Sequence, residues 1–282
     1  MTITENFDFL VEDMLAWLTD NAGGFFNTIS SAMNAVFNLI NSVLFWAPWW
    51  AVCLVVALAG WRTVGRGFAV LCLLGLWLCQ QMGLWNETMA TLTLVFTSTL
   101  IALLLAIPVG VLVGLSARWK HGAELVMDFF QTMPPYIFLL PGIALLGYGP
   151  ATAIWATCLV AIPPALRLTA HGVFTTPVQF CELGAAVGMT TSSQVMKIRV
   201  PFAVPSILAG INQSLMLSFG MVVIAGIAGS GGLGQAIYEA VRTLKIDEAV
   251  NAGIAIVVLT IILDRISQAL CKPEKENNHG HA

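Results

Sequence analysis

Seven stretches of this chain, near 43–61, 67–85, 88–116, 129–149, 150–166, 204–228 and 249–268, are apolar and free of charge, apart from Asp264-Arg265 near the end of the last. Each is close to the roughly 20 residues that a helix needs to cross bilayer hydrocarbon. Inside a bilayer every backbone N–H and C=O must be satisfied within the protein, and runs of this length do so as helices. Only 10% of the residues are charged and 58% are hydrophobic, against roughly 25% charged in soluble domains. Such a chain cannot cover a water-facing surface. The expected fold class is an all-α polytopic membrane protein with about seven transmembrane helices. The net charge of −3 offers no nucleic-acid surface.

The chain divides by composition. Residues 1–42 hold five acids and no Lys or Arg. Phe9, Leu10, Met14, Trp17 and Leu18 fall near helical spacing, which predicts an amphipathic helix on the membrane surface, broken at Gly23-Gly24. Residues 43–86 form two accessory spans and 87–270 the core, whose longest polar connection is 167–203. Residues 271–282 read as a disordered tail. The six cysteines fit neither a zinc site nor a disulfide framework and read as small buried hydrophobes. Arg62, Arg66, Arg118, Lys120, Arg167, Lys197, Arg199, Lys272 and Lys275 fall on one side of the seven-span scheme and only Arg242 and Lys245 opposite, beside Glu239, Asp247 and Glu248, so the positive-inside rule puts the N-terminus outside and the C-terminus in the cytoplasm.

The segment from Arg167 to about Ala203 is too polar to span. Thr176-Pro177 opens a helical stretch through Ala186, Gly188 permits a sharp turn, and Thr190 or Thr191 caps a second helix, with Ser193 or Gln194 in the reciprocal position. Pro201 is expected to end that helix. The outcome is a two-helix elbow projecting from the membrane.

The elbow reads Glu182-Leu-Gly-Ala-Ala-Val-Gly188, nine residues, then Ile198-Arg-Val-Pro201. It resembles the EAA loop of ABC-importer permeases, with Leu183 and Gly184 in place of two alanines and Val200 in place of leucine. Gln131-Thr132-Met133-Pro134, Pro163-Pro164, Arg167-Leu168-Thr169, Asn212-Gln213, Gly231-Gly232, Gly234-Gln235 and Asp264-Arg265 extend the resemblance over roughly 88–270, to permeases for glycine betaine and proline betaine. Permeases for methionine share the loop but fit its flanks less well. The resemblance implies a type I ABC-importer permease of the bacterial inner membrane. Glu182, Ala185, Ala186, Gly188, Ile198 and Pro201 would then form the element that docks on a cytoplasmic ATPase. Two copies of this chain would pair with two ATPase subunits and take substrate from a periplasmic binding protein. Choline, carnitine, proline and methionine stand as alternative substrates.

Function classes narrow further on chemistry. No Gly-Lys dipeptide occurs, so the chain has no phosphate-binding P-loop. ATP and Mg²⁺ are expected on the partner, no cofactor or metal on this chain, and no catalytic residue. Asn212, Gln213 and Ser218 are candidates to line a translocation path, or else to hydrogen-bond between helices. Gly231, Gly232 and Gly234 suggest a gate or tight turn. An ion-coupled carrier would need buried carboxylates, and only Asp264 comes near that requirement.

Overall fold

The computed structural model describes the backbone of residues 3–271 and side chains from residue 12. Within them the chain is helical: α1 (Ile3–Trp46), α2 (Trp49–Thr63), α3 (Arg66–Gln81), α4 (Trp85–Val113), α5 (Ala117–Thr132), α6 (Leu139–Leu146), α7 (Pro150–Phe174), α8 (Val178–Ala186), α9 (Thr191–Gln194), α10 (Val200–Ala225), α11 (Gly232–Arg242) and α12 (Ile246–Cys271). The expected tail, 272–282, lies outside the described residues, as do the side chains of Phe9 and Leu10.

The core forms around α7, which packs between α4 and α10. Lipid is as apolar as leucine, so these helices gain by close approach and interhelical hydrogen bonds rather than by burial from water. Small residues provide the approach. A β-carbon on Gly114, which caps the C-terminus of α4, would stand 2.6 Å from the Ala170 carbonyl oxygen of α7. Ser214 of α10 donates to the Ala161 carbonyl at 2.7 Å. Thr99 of α4 donates to the Ser218 hydroxyl at 2.9 Å, and Ser218 donates in turn to the Ser214 carbonyl.

Five helical segments, Glu12–Trp46, Trp85–Val113, Pro150–Phe174, Thr191–Ala228 and Ile246–Cys271, are long and apolar enough to cross, and a sixth if the bent pair α5 and Pro135–Leu146 counts as one. The expected spans 43–61 and 67–85 become α2 and α3, of 15 and 16 residues. At 1.5 Å per residue these reach only about 22–24 Å. The expected 129–149 span is broken by 99° between Thr132 and Pro135, where Pro134 and Pro135 leave backbone carbonyls without helical donors. By contrast, α7 runs through Pro163-Pro164 to Phe174.

Two expected breaks are absent. Helix α1 passes through Gly23-Gly24 without interruption. Glycine costs only about 1 kcal/mol relative to alanine in a helix, and no turn competes there. Pro201 does not stop the second elbow helix either: α9, a π turn at Val195–Arg199 and α10 run on continuously. The Val200 N–H reaches back to Val195 O, a five-residue step, and this wider register accommodates a proline that donates no hydrogen bond.

The two helix ends differ in charge. Lys120 lies 4.6 Å from the Phe174 ring centroid, and Gly172 packs on Ala203 and Ser206. The C-terminal ends of α4 and α7 and the start of α10 therefore share one end, with Arg118, Lys120, Lys197 and Arg199. Glu87, Glu239 and Glu248 meet around one cleft at the other, where Arg242 ends α11 and Lys245 pairs with Glu248 at 2.8 Å.

Candidate functional site

The elbow begins where Pro177 stops α7 from continuing and α8 starts at Val178. Its bend is a Schellman turn: Met189 N–H bonds Gly184 O at 2.9 Å and Gly188 N–H bonds Ala185 O at 3.0 Å. Gly188 sits at φ +77°, a conformation that side chains other than those of Gly and Asn resist. Thr190 then caps α9, accepting the Ser193 N–H at 3.3 Å. Gln194 does not return the bond. It donates to the Cys181 carbonyl of α8 at 3.4 Å and ties the two arms together. Gly184 is buried between the arms, with Ile198, Gln194 and Met189 around it. Phe180 and Phe202 close the base, ring centroids 4.9 Å apart.

The other side of α8 is open. Glu182, Ala185 and Ala186 are exposed, beside Val178, Leu183 (62%) and Val187 (69%). Glu182 makes no ion pair with Arg199. Ile198 is half-buried inside the bend, while Pro201 is exposed at its foot. The two arms are thus braced internally and present an apolar face with one carboxylate.

The path candidates do not converge. Ser218 is fully buried and joins α10 to α4 through Thr99. Gln213 is exposed and Asn212 half-buried, the Asn212 Oδ1 lacking a partner among the described residues. Asp264 accepts from Gln268 Nε2 through both carboxylate oxygens, at 2.9 and 2.8 Å.

The glycine-rich segment is a packed turn. Gly231 and Gly232 have φ +80° and +77°. Gly231 N–H bonds the Gln235 Oε1 at 2.8 Å, Leu233 N–H bonds the Thr91 hydroxyl of α4 at 2.8 Å, and Gly149 N–H bonds Ala228 O at 2.9 Å. Gly234 lies so near Gly226 that a β-carbon on the latter would be 2.2 Å from the Gly234 carbonyl carbon.

Sequence reasoning missed one contact between charges. Arg167 of α7 bonds Asp128 of α5 through Nη2. The available signal was scarcity: between Glu124 and Glu182 the chain has no other carboxylate than Asp128 and no other Lys or Arg than Arg167.

Residues 106–272 match the family described as the binding-protein-dependent transport system inner membrane component. The chain is 36% identical to the glycine betaine transport system permease protein OpuAB of Bacillus subtilis, over 97% of this chain and 96% of that one. It is 31% identical to the glycine betaine/proline betaine transport system permease protein ProW of Escherichia coli, over 96% of this chain and 77% of that one. A chain of the MetNI methionine ABC transporter, solved in inward-facing conformations, matches with a TM-score of 0.53 over 64% of this chain and 93% of its own, at 24% identity. That last likeness is one of fold.

Proposed function

The chain belongs to the family of binding-protein-dependent transport system inner membrane components, and from that premise we propose that it admits glycine betaine, proline betaine and similar quaternary amines to the cytoplasm. It is the multi-pass inner-membrane permease subunit of an ABC importer, and the ATPase is a different subunit. A binding-protein-dependent system works with an ATPase and a binding protein. The substrate follows OpuAB and ProW, which are named as permeases for these compounds.

The elbow carries the mechanical part of the proposal. A docking lever must be stiff and must offer an apolar surface to its partner. The Schellman turn, the Thr190 cap and the Gln194 bond supply stiffness. Exposed Leu183 and Val187 supply the surface. Glu182 adds a charge that an arginine of the partner can take, and Ala185 and Ala186 let that partner approach closely. Two copies of this chain pair, each with its elbow in one ATPase subunit on the cytoplasmic side. The basic residues gathered at the elbow's end support that side, with the C-terminus cytoplasmic. ATP binding on the partners draws the elbows together and turns the spans from inward-open to outward-open. Gly231, Gly232 and Gly234 hold the outer turn against α4. Asn212 and Gln213 are the candidates to line the path, and α2 with α3 forms an accessory hairpin against α12.

The test is uptake of radiolabelled glycine betaine by proteoliposomes holding the permease, its ATPase and its binding protein. ATP-dependent accumulation is expected, with loss in Glu182→Lys. A wild-type complex that moves another solute but not a betaine would remove the substrate assignment.

A further inference from the structure

Arg167 and Asp128 stand 39 residues apart in sequence and meet side by side. Their neighbours Leu166 and Met127 are buried with Ala106 and Ala165 in a small apolar cluster, so the two charges lie at its rim. Arg167 is seven residues from the end of α7, about 10 Å by helical rise, in a helix about 37 Å long. The pair therefore lies within the length of a helix long and apolar enough to cross a membrane, where charge is costly and is kept for a use. It is not sealed off. The side chains of Arg167 and Asp128 retain 37% and 58% of their surface. The Arg167 Nε–H is buried without an acceptor among the described residues, which leaves one edge of the guanidinium fork unfilled.

We propose that Arg167 and Asp128 form a transient binding site for a zwitterion carrying a carboxylate and a fixed cation. The inference rests on the betaine assignment above and gives it a place inside the membrane. The guanidinium fork takes the ligand carboxylate in two parallel bonds. Asp128, released from Arg167, faces the ligand's quaternary ammonium. That group has no N–H, so the contact is Coulombic and undemanding in direction, as suits a site that must let go. The ligand adds one charge of each sign to an ion pair, so the site is neutral before and after the exchange and no charge is left alone. A cation without a carboxylate, such as choline, cannot open the pair in this way.

Saturation-transfer NMR on the permease in nanodiscs, without binding protein, tests this with glycine betaine and choline as probes. Wild type is expected to transfer saturation to the betaine methyl protons. Arg167→Gln and Asp128→Asn should weaken betaine binding at least about tenfold, the loss of a charge-assisted hydrogen bond. Arg167→Lys keeps the charge without the fork and should fall between, while the choline response stays the same in wild type and Arg167→Gln. No wild-type response above empty discs, or unchanged betaine responses in the variants, overturns the site. Equal losses for betaine and choline also overturn it, because they mean a structural pair. If the complex imports betaine while the NMR is negative, the site alone falls. If the complex imports no betaine, the substrate assignment falls and the site with it.

Discussion

The Cδ1 of Ile198 lies 2.9 Å from the point that a β-carbon on Gly184 would occupy, so the two arms of the elbow close over a missing side chain. Gly184→Val should force them apart at a cost of about 1–3 kcal/mol, as overpacking does. Betaine uptake should fall about tenfold, in proportion to that cost. Ile198→Ala in the same chain should recover most of it. A single variant that transports like wild type would mean the inner contact of the elbow is irrelevant.

At Gly188 the left-handed backbone sets a graded expectation. Valine should cost about 1–2 kcal/mol and asparagine less. Hydrogen exchange at the Met189 amide reports it, since about 1.4 kcal/mol is a tenfold rate. Equal exchange in the two variants would contradict the Schellman assignment.

Leu183→Asp and Val187→Asp alter only exposed surface, so the permease's own thermal unfolding should shift by no more than about 0.5 kcal/mol. Co-purification of the ATPase subunit should be lost. Retention of the ATPase in both would refute docking through this face.

A methyl group on Gly226 meets backbone at 2.2 Å, whereas one on Gly220 meets nothing within 4 Å. Gly226→Ala should therefore destabilise the detergent-solubilised protein by about 3 kcal/mol. Gly220→Ala should be neutral or stabilising by up to about 1 kcal/mol. The two melting temperatures decide it.

Ser218→Ala removes a bond between α4 and α10 and should cost about 0.6–1.7 kcal/mol of stability. If uptake drops while the melting temperature holds, Ser218 belongs to the path instead.

The elbow was the most legible part of the chain, because its punctuation is local. Pro177, Gly188 and Thr190 each act within one turn of helix, and each stands where its chemistry requires. Long-range relations were hidden. Ser218 reads equally as pore lining or interhelical glue until Thr99, 119 residues away, is placed beside it. Asp128 and Arg167 show no spacing that links them. Gly23-Gly24 and Pro201 misled for a common reason: a breaker ends a helix only where another conformation competes, and none does at either position, the π register before Pro201 absorbing its missing donor. The shortness of α2 and α3 was masked because hydropathy continues past their far ends, through Phe45-Trp46-Ala47-Pro48 into α1 and through Met82-Gly83-Leu84 into α4.

The π turn at Val195–Arg199 leaves the second arm of the elbow and the membrane helix as one run, Thr191–Ala228, of 38 residues. That is a rod about 57 Å long. Tilting it by about 5° around its middle shifts each tip by about 2.5 Å in opposite directions. One tip is the Thr190-capped start of the elbow and the other holds Gly149 through the Ala228 carbonyl. Under the docking proposed above, a shove delivered below reappears above along one unbroken helical run, like an oar working across its gunwale.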